Sequence, residues 1–212
     1  ELCIEPLYEE INRVMQELTN YEAAVLFIDD GSHDKTMEKI KGLTQKNTEI
    51  RYLSFSRNFG KEAAIFAGLA NSTGDIVVLM DADLQHPPAL IPQMIKEVEA
   101  GADCCGARRI DRKGEPLIRS FFSKAFYRFM KKTTGLDFVQ GGSDFRAMTR
   151  QVVQAVVAMP EKERFTKGIL SWVGFQMKWL EYENVERTLG TTKWSFWGLV
   201  RYGVNGFLAF ST

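Results

Sequence analysis

Two short apolar runs in the first half of the chain each end abruptly in acidic residues. Residues 23–28 lead into the sequence DDGS at 29–32, and residues 76–80 lead into DAD at 81–83. Continuous apolar runs of this length are typical of strands that are buried on both faces of a parallel sheet. Because the carboxyl ends of parallel strands meet at one edge of a sheet, we expect both acidic clusters at one ligand-binding edge.

The spacing of apolar residues along the rest of the chain predicts strands that alternate with helices. Steps of three and four residues predict helices, and short apolar runs predict strands. The predicted helices span 4–18, 34–46, 61–71, 87–100, 116–132, 149–158 and 163–173, and the predicted strands span 23–28, 50–55, 76–80, 102–107 and 177–185. Residues 141–143 are predicted to form a loop that leads to Asp144.

This alternation predicts an α/β fold with a mostly parallel sheet flanked by helices. The chain opens on a helix, whereas this arrangement usually opens on a strand, so we expect that the first strand is missing from the sequence. The 212 residues are enough for one compact domain.

Charge is unevenly distributed, although the net charge is zero. Residues 108–132 contain nine Lys or Arg against two acids, a net charge of +7 (9 − 2), which leaves −7 for the rest. The net charge by itself says nothing about a partner, and we expect no nucleic-acid partner. Cys3, Cys104 and Cys105 lack the spacing of a zinc site, and the neighbouring pair is expected to pack as small hydrophobic residues in a reducing compartment.

The DAD cluster suggests a divalent cation. Two carboxylates two residues apart repel each other unless a cation neutralises them. Hard cations such as Mg²⁺ or Mn²⁺ take oxygen ligands, and Gln85 adds an amide oxygen to Asp81 and Asp83. A solvated turn that caps a helix explains the same residues, so the cluster alone leaves both interpretations open.

The loops after the other two strands add groups suited to a nucleotide. Asp29 or Asp30 could accept hydrogen bonds from a base or ribose. Arg57 and Lys61 flank a glycine-containing loop, where they could meet phosphate oxygens. Helix capping and a solvated helix start are the simpler alternatives for these residues.

Five blocks then resemble a known family when they are taken in order. They are FIDDGSHDKT, SRNFGKEAAIFAGL, GDIVVLMDADLQHPP, SDFRAMTR and RFTKGILSWVGF. They resemble family 2 inverting glycosyltransferases, and most closely the polyprenyl-phosphate branch that contains bactoprenol glucosyltransferases and dolichyl-phosphate mannose synthase. The resemblance implies a GT-A fold and transfer of a hexose from a nucleotide-diphosphate sugar to undecaprenyl or another polyprenyl phosphate. The donor is expected to be UDP-glucose or UDP-N-acetylhexosamine, with GDP-mannose as the alternative.

The resemblance also implies roles for individual residues. Asp81, Asp83 and Gln85 match the ligands of a Mg²⁺ or Mn²⁺ ion and the diphosphate, and Asp29 and Asp30 match the nucleotide-contacting pair. Asp144 matches the position suggested as catalytic base, and a structural salt bridge with Arg146 is the less favoured alternative. The acceptor-phosphate positions are matched by Arg119, Ser123, Arg187 and Lys193.

These matches imply how a single domain over residues 1–212 is organised. Residues 1–107 are expected to form the nucleotide-binding half, residues 108–193 the acceptor-binding half, and residues 194–212 an amphipathic segment at the membrane interface. Family members continue into membrane helices, so we expect an anchored protein at the cytoplasmic face of the cell membrane that serves cell-envelope glycosylation. A homo-oligomer is left open.

Two other classes explain part of the pattern. A phospho-acceptor receiver domain would use Asp29, Asp30 and Asp81 to gather Mg²⁺, but it leaves Gln85 and the basic stretch unexplained. A phosphatase would use Asp81 as its nucleophile, although such a nucleophile normally ends the first strand. His33 and His86 lie in loops and are interpreted as turn residues.

Overall fold

The computed structural model describes residues 1–110, 141–159, 161 and 164–183. Its helices are α1 (Ile4–Glu17), α2 (Thr36–Lys46), α3 (Lys61–Asn71), the 3-10 helix Pro88–Leu90, α4 (Ile91–Glu99), α5 (Arg150–Ala158) and α6 (Thr166–Trp172). Its strands are β1 (Val25–Asp29), β2 (Ile50–Ser54), β3 (Ile76–Leu79), β4 (Cys104–Arg109), β5 (Gly142–Thr149) and β6 (Met177–Tyr182). The alternation that the sequence predicts over the first 107 residues is confirmed.

The strands form two sheets. Strands β1 and β2 pair in parallel, and the other four follow the order β3-β5-β4-β6. Strand β5 runs antiparallel to both β3 and β4, while β6 runs parallel to β4 at the end of the order. The α/β class is therefore confirmed, but the sheet is mixed rather than mostly parallel.

Strand β5 explains that difference, because the prediction of a loop at 141–143 leading to Asp144 was wrong from Gly142 onward. The run of Gly, Ser and Asp has turn composition, which masked the strand. Neighbours on both sides complete its backbone hydrogen bonds, and Phe145, Ala147 and Met148 become fully buried. Tertiary pairing thus overrides local preference here.

Helices cover both faces of the four-stranded sheet. Cys105 packs with residues of α1 and α4, whereas its neighbour Cys104 packs with residues of α3, α5 and α6. Successive strand residues point to opposite faces of a sheet, so each cysteine belongs to a different hydrophobic core, one on each face. Burial raises the pKa of both thiols to about 11, which makes them the inert small hydrophobic residues that the sequence predicts.

Membrane contact was a further expectation. None of the helices in the described part of the chain is long and apolar enough to cross a bilayer. The predicted helix 116–132 and the segment 194–212 lie outside the described residues.

Gly31 brings two loops of the predicted binding edge into contact. Its φ is +69°, and a Cβ at this position would lie 2.5 Å from the carbonyl carbon of Arg57 and 2.7 Å from the amide nitrogen of Asn58. Both atoms belong to the backbone, so no side chain can move aside. The glycine is therefore required for the close approach of the β1–α2 and β2–α3 loops.

We expect Gly31→Ala to lower the free energy of unfolding by about 2 kcal/mol or more, from backbone strain and the steric clash together. Urea denaturation measures this change. Gly42→Ala is the matched control, because Gly42 lies in α2 and a Cβ added there would meet no neighbouring atom within 4 Å. The control should be neutral or stabilising by up to about 1 kcal/mol. Equal urea midpoints for Gly31→Ala and the unmodified protein would contradict the close approach.

Candidate active site

Four segments converge where β1 and β3 end. They are the loops that follow β1, β2 and β3, together with the first residues of β5. Strand β5 runs antiparallel to β3 with Leu79 opposite Arg146, so Asp144 lies next to the residues that follow β3. The antiparallel strand therefore brings a carboxylate from later in the chain to the carboxyl-end edge.

Asp29 and Asp30 hold the loops at this edge. Asp29 is buried and accepts hydrogen bonds from the amide of Ser32 at 3.2 Å and the hydroxyl of Ser54 at 2.9 Å. Asp30 accepts the amides of Phe59 at 2.7 Å and Gly60 at 2.9 Å. Both carboxylates thus shape the edge, and their contact with a nucleotide stays a prediction.

The loop after β2 presents an exposed aromatic ring. Phe59 is 51% exposed, and the guanidinium of Arg57 lies 4.1 Å from the centre of its ring. Phe55 meets the same ring edge-on, with 5.6 Å between the centroids. Arg57 is therefore held at the edge by a cation–π contact with its charge exposed.

Lys61 forms ion pairs with both the DAD loop and Asp144 of β5. Its ammonium lies 2.7 Å from Asp81 Oδ2 and 2.6 Å from Asp144 Oδ2. Lys167 lies 3.7 Å from Asp144 Oδ1 and donates a hydrogen bond to the carbonyl of Gly142 at 3.1 Å. Asp144 thus faces two ammonium groups, and one of them also contacts the first carboxylate of the DAD cluster.

These contacts fix the charge of Asp144. Burial by itself would raise the pKa of this carboxyl, but the charges of Lys167 and Lys61 outweigh burial and hold the pKa well below its usual range. Burial likewise acts to lower the pKa of Lys61, and Asp144 and Asp81 reverse that effect and raise it. Near neutral pH Asp144 is therefore a carboxylate and Lys61 an ammonium ion.

The alternative of a structural salt bridge between Asp144 and Arg146 is not what the described residues show. The ion partners of Asp144 among them are Lys61 and Lys167. Arg146 is buried and donates through Nη2 to the carbonyl of Ser143 at 2.8 Å. Arg146 therefore anchors the start of β5 and adds only a weaker electrostatic effect on Asp144.

A hydrogen bond from the backbone of Asp81 to His86 holds the DAD loop in place. His86 Nδ1 accepts the amide N–H of Asp81 at 3.2 Å, and the imidazole ring stacks on Phe145 with 5.3 Å between centroids. The ring is 3% exposed, and burial lowers the pKa of its imidazole, so it is neutral with its proton on Nε2. The sequence-based interpretation of His86 as a turn residue missed this role, because both partners are set by the fold.

The loop carries a strained residue between its carboxylates and Gln85. Leu84 has a φ of +62°, a region that residues other than Gly, Asn and Asp rarely adopt. The amide of Gln85 donates to Asp83 Oδ1 at 3.1 Å. This turn places Asp83 against the backbone of Gln85, so the three oxygen-bearing residues of the predicted metal site share one tight loop.

The donor set fits a divalent cation that a ligand helps to bind. The described residues contain no group of three or more His, Cys, Asp or Glu arranged around a common metal position. Asp81 already contacts one cation, the ammonium of Lys61. Two carboxylates and an amide oxygen suit Mg²⁺ or Mn²⁺ if phosphate oxygens complete the shell.

The predicted acceptor-phosphate residues cannot be placed beside this cluster. Arg119, Ser123, Arg187 and Lys193 all lie outside the described residues. Their roles stay predictions. Lys167, which sequence reasoning did not single out, supplies the second cation at Asp144 instead.

Comparison with known sequences identifies the class. The profile of Glycosyl transferase family 2 matches residues 3–157. CsbB of Bacillus subtilis (strain 168), whose name gives the glycosyltransferase class without a substrate, is 43% identical over 97% of this chain. The Prophage bactoprenol glucosyl transferase homolog of Escherichia coli (strain K12) is 40% identical over 98% of this chain.

A solved structure supports the same architecture. Glucosyl-3-phosphoglycerate synthase from Mycobacterium tuberculosis, solved with Mn²⁺ and UDP-glucose, aligns with a TM-score of 0.51 at 16% identity. The alignment covers 84% of this chain and 64% of that one. The mixed sheet and its flanking helices are thus a GT-A-like fold, which confirms the fold class implied by the five sequence blocks.

Fold and sequence together define a glycosyltransferase. The chain belongs to glycosyl transferase family 2, and this membership replaces the receiver and phosphatase interpretations. The chain spans 62% of the length of the Bacillus relative and 68% of the Escherichia coli relative.

Proposed function

We propose that this protein transfers a hexose from a UDP-sugar to a polyprenyl phosphate, with inversion at the anomeric carbon, for glycosylation of the cell envelope. The observation that carries the proposal is Lys61, whose ammonium contacts Asp81 and Asp144 together. A carboxylate that would bind the donor-side cation and a carboxylate on the acceptor side, in one charge cluster, are suited to a single displacement between two phosphate-bearing substrates. The bactoprenol glucosyl transferase names of the Escherichia coli relative and a Shigella phage SfX relative support the lipid acceptor.

Asp81 and Asp83, with Gln85, would hold the Mg²⁺ or Mn²⁺ ion on the donor side. Bound there, the ion would stabilise negative charge on the departing nucleoside diphosphate. Lys61, the first residue of α3 and a contact of Asp81, would add a positive charge near the same diphosphate oxygens. Asp29 and Asp30 hold the loops that would surround the base and ribose, and Arg57 would add exposed positive charge there.

Asp144 would act on the acceptor. A phosphate monoester has a second pKa near 6, so the acceptor is largely a dianion at neutral pH. It needs little removal of a proton, and Asp144 is itself held as an anion. We infer that Asp144 orients the acceptor, while Lys167 and Lys61 offset the repulsion between like charges.

The bond changes follow from a single displacement. An oxygen of the acceptor phosphate attacks the anomeric carbon, a new C–O bond forms, and the bond to the donor diphosphate breaks with its electron pair. Approach opposite to the leaving group inverts the configuration. UDP leaves, and a polyprenyl phosphate hexose remains at what we propose is the cytoplasmic face of the membrane.

UDP-glucose or UDP-N-acetylhexosamine is the proposed donor, and GDP-mannose is the alternative. The test incubates the full-length protein in undecaprenyl phosphate micelles with each radiolabelled donor and Mn²⁺ or Mg²⁺. Label extracted into organic solvent with a UDP-sugar is the expected result. If label enters the organic solvent only from GDP-mannose, GDP-mannose is the donor and the proposal of a UDP-sugar is wrong. If no donor gives lipid-linked label, the proposal of a polyprenyl phosphate acceptor is wrong.

A further inference from the structure

The block Arg-Phe-Thr-Lys at 164–167 contains three residues, Arg164, Phe165 and Thr166, to which the proposed donor and acceptor binding assigns no role. Arg164 donates to the carbonyls of Val156 and Met159 at the end of α5, and its guanidinium lies 4.5 Å from the centre of the Phe66 ring in α3. Phe165 is buried at 2% exposure. Arg164 therefore connects the residues that precede α6 to both α3 and α5.

The second half of the block meets the first turn of α3. Glu62 Oε2 accepts the backbone N–H of Thr166 at 2.9 Å and its hydroxyl at 2.6 Å. Thr166 is 2% exposed, so this double hydrogen bond is shielded from water. It also satisfies an amide at the start of α6 that has no partner inside that helix.

Each partner of this hydrogen-bonded pair is adjacent to a lysine that reaches Asp144. Lys61 precedes Glu62 at the start of α3, and Lys167 follows Thr166 at the start of α6. A cation in the first turn of a helix is disfavoured by the helix dipole. The position of Lys61 is therefore unfavourable for α3 by itself, and its contacts with Asp81 and Asp144 compensate for it.

We propose that the Glu62–Thr166 pair is a positioning element of the active site, which sets Lys61 and Lys167 against Asp144 and so holds this carboxylate in place for the acceptor phosphate. The proposal deepens the function proposed above and rests on it. Lys61 is adjacent to Glu62, and Lys167 is adjacent to Thr166. Holding Glu62 against Thr166 therefore also fixes the Cα positions from which the two lysine side chains extend. A displacement of about 1 Å at such a centre can cost up to about 100-fold in rate.

Thr166→Val tests the pair with little change in shape, because it removes the hydroxyl donor alone. We expect kcat for transfer to undecaprenyl phosphate to fall about tenfold, with the KM for the UDP-sugar changed less than about twofold. Thr166→Ser keeps the hydroxyl and should restore kcat to within about twofold of the unmodified protein. Thr73→Val, which removes an exposed threonine hydroxyl from the loop between α3 and β3, is the matched control and should leave kcat unchanged.

A double-mutant cycle separates positioning from general stability. If Thr166 acts through Lys167, Thr166→Val should lower kcat less than about twofold in a Lys167→Met background. Full additivity, or a Thr166→Ser protein as impaired as Thr166→Val, would overturn the proposal. A Thr166→Val protein that matches the Thr73→Val control would overturn it as well.

An NMR measurement gives a readout that does not depend on sugar transfer. The carboxyl ¹³C resonance of Asp144, assigned by its loss in Asp144→Asn, is recorded at pH 7, where the protein is folded. Its chemical shift should change in Thr166→Val but not in Thr73→Val, because the two lysines are no longer held against Asp144 in the first variant. An unchanged chemical shift in Thr166→Val overturns the positioning proposal, even if the unmodified protein transfers no sugar to the lipid. Absence of transfer together with a changed chemical shift would overturn the proposed function alone.

Discussion

Asp81→Asn is expected to lower kcat for sugar transfer by about 1,000-fold, because it removes the charge that we propose binds the donor-side cation and that contacts Lys61. The change in shape is minimal, so the fold should be retained. Initial rates of lipid-linked label at saturating UDP-sugar measure the loss. Titration calorimetry should show weaker Mn²⁺ binding in the presence of UDP.

Asp75→Asn is the matched control for this variant. Asp75 is exposed and directly precedes β3, whereas Asp81 follows its carboxyl end. The same chemical change at Asp75 should leave kcat and Mn²⁺ affinity as they are in the unmodified protein. Unchanged rate and metal dependence in Asp81→Asn would show that the DAD loop does not bind the cation.

Asp144→Asn is expected to lower kcat by about 100-fold or more, with the KM for the UDP-sugar little changed. The amide cannot balance the charges of Lys61 and Lys167, which then compete for the acceptor phosphate in the wrong geometry. Steady-state kinetics with varied donor and varied undecaprenyl phosphate separate the two effects. A large rise in donor KM with kcat intact would place Asp144 in donor binding instead.

The pH dependence of Asp144 has a definite sign. Its folded-state pKa lies below the unfolded value of about 4, so its stabilising contribution is complete above that value and is lost as the pH falls through the folded pKa. We therefore expect no change in kcat from Asp144 between about pH 5 and pH 9. Acid unfolding below about pH 4 should be less steep in Asp144→Asn, and a kcat profile with an Asp144-dependent change near neutrality would contradict this account.

The regular part of the fold was predictable because local pattern and tertiary environment agree there. Strands such as Val25–Asp29 and Ile76–Leu79 are apolar runs that end in acidic residues, and helix Lys61–Asn71 begins and ends as its sequence predicts. Strand Gly142–Thr149 was missed because its Gly, Ser and Asp favour turns in isolation. Pairing with strands on both sides outweighs that preference.

Some residues of the candidate site could likewise be predicted from the sequence, and others could not. Asp81, Asp83 and Gln85 are close in sequence, so their shared loop could be inferred from spacing. Lys61 was expected to meet phosphate, and in this structure it contacts two carboxylates. The contacts of His86 with Phe145 and of Lys167 with Asp144 depend on an antiparallel strand that the sequence did not predict. Thr166 contacts Glu62, which lies 104 residues earlier in the chain, so no local pattern could reveal that pair.

The configuration of the lipid-linked product tests the central claim most directly. The full-length protein would be supplied with the α-linked UDP-sugar donor, undecaprenyl phosphate and Mn²⁺, and the anomeric proton of the extracted product would be examined by NMR. A β-linked polyprenyl phosphate hexose, formed by the unmodified protein and nearly absent with Asp81→Asn, is the predicted result. An α-linked product, or release of free sugar with no lipid-linked product, would contradict inverting transfer to a lipid phosphate.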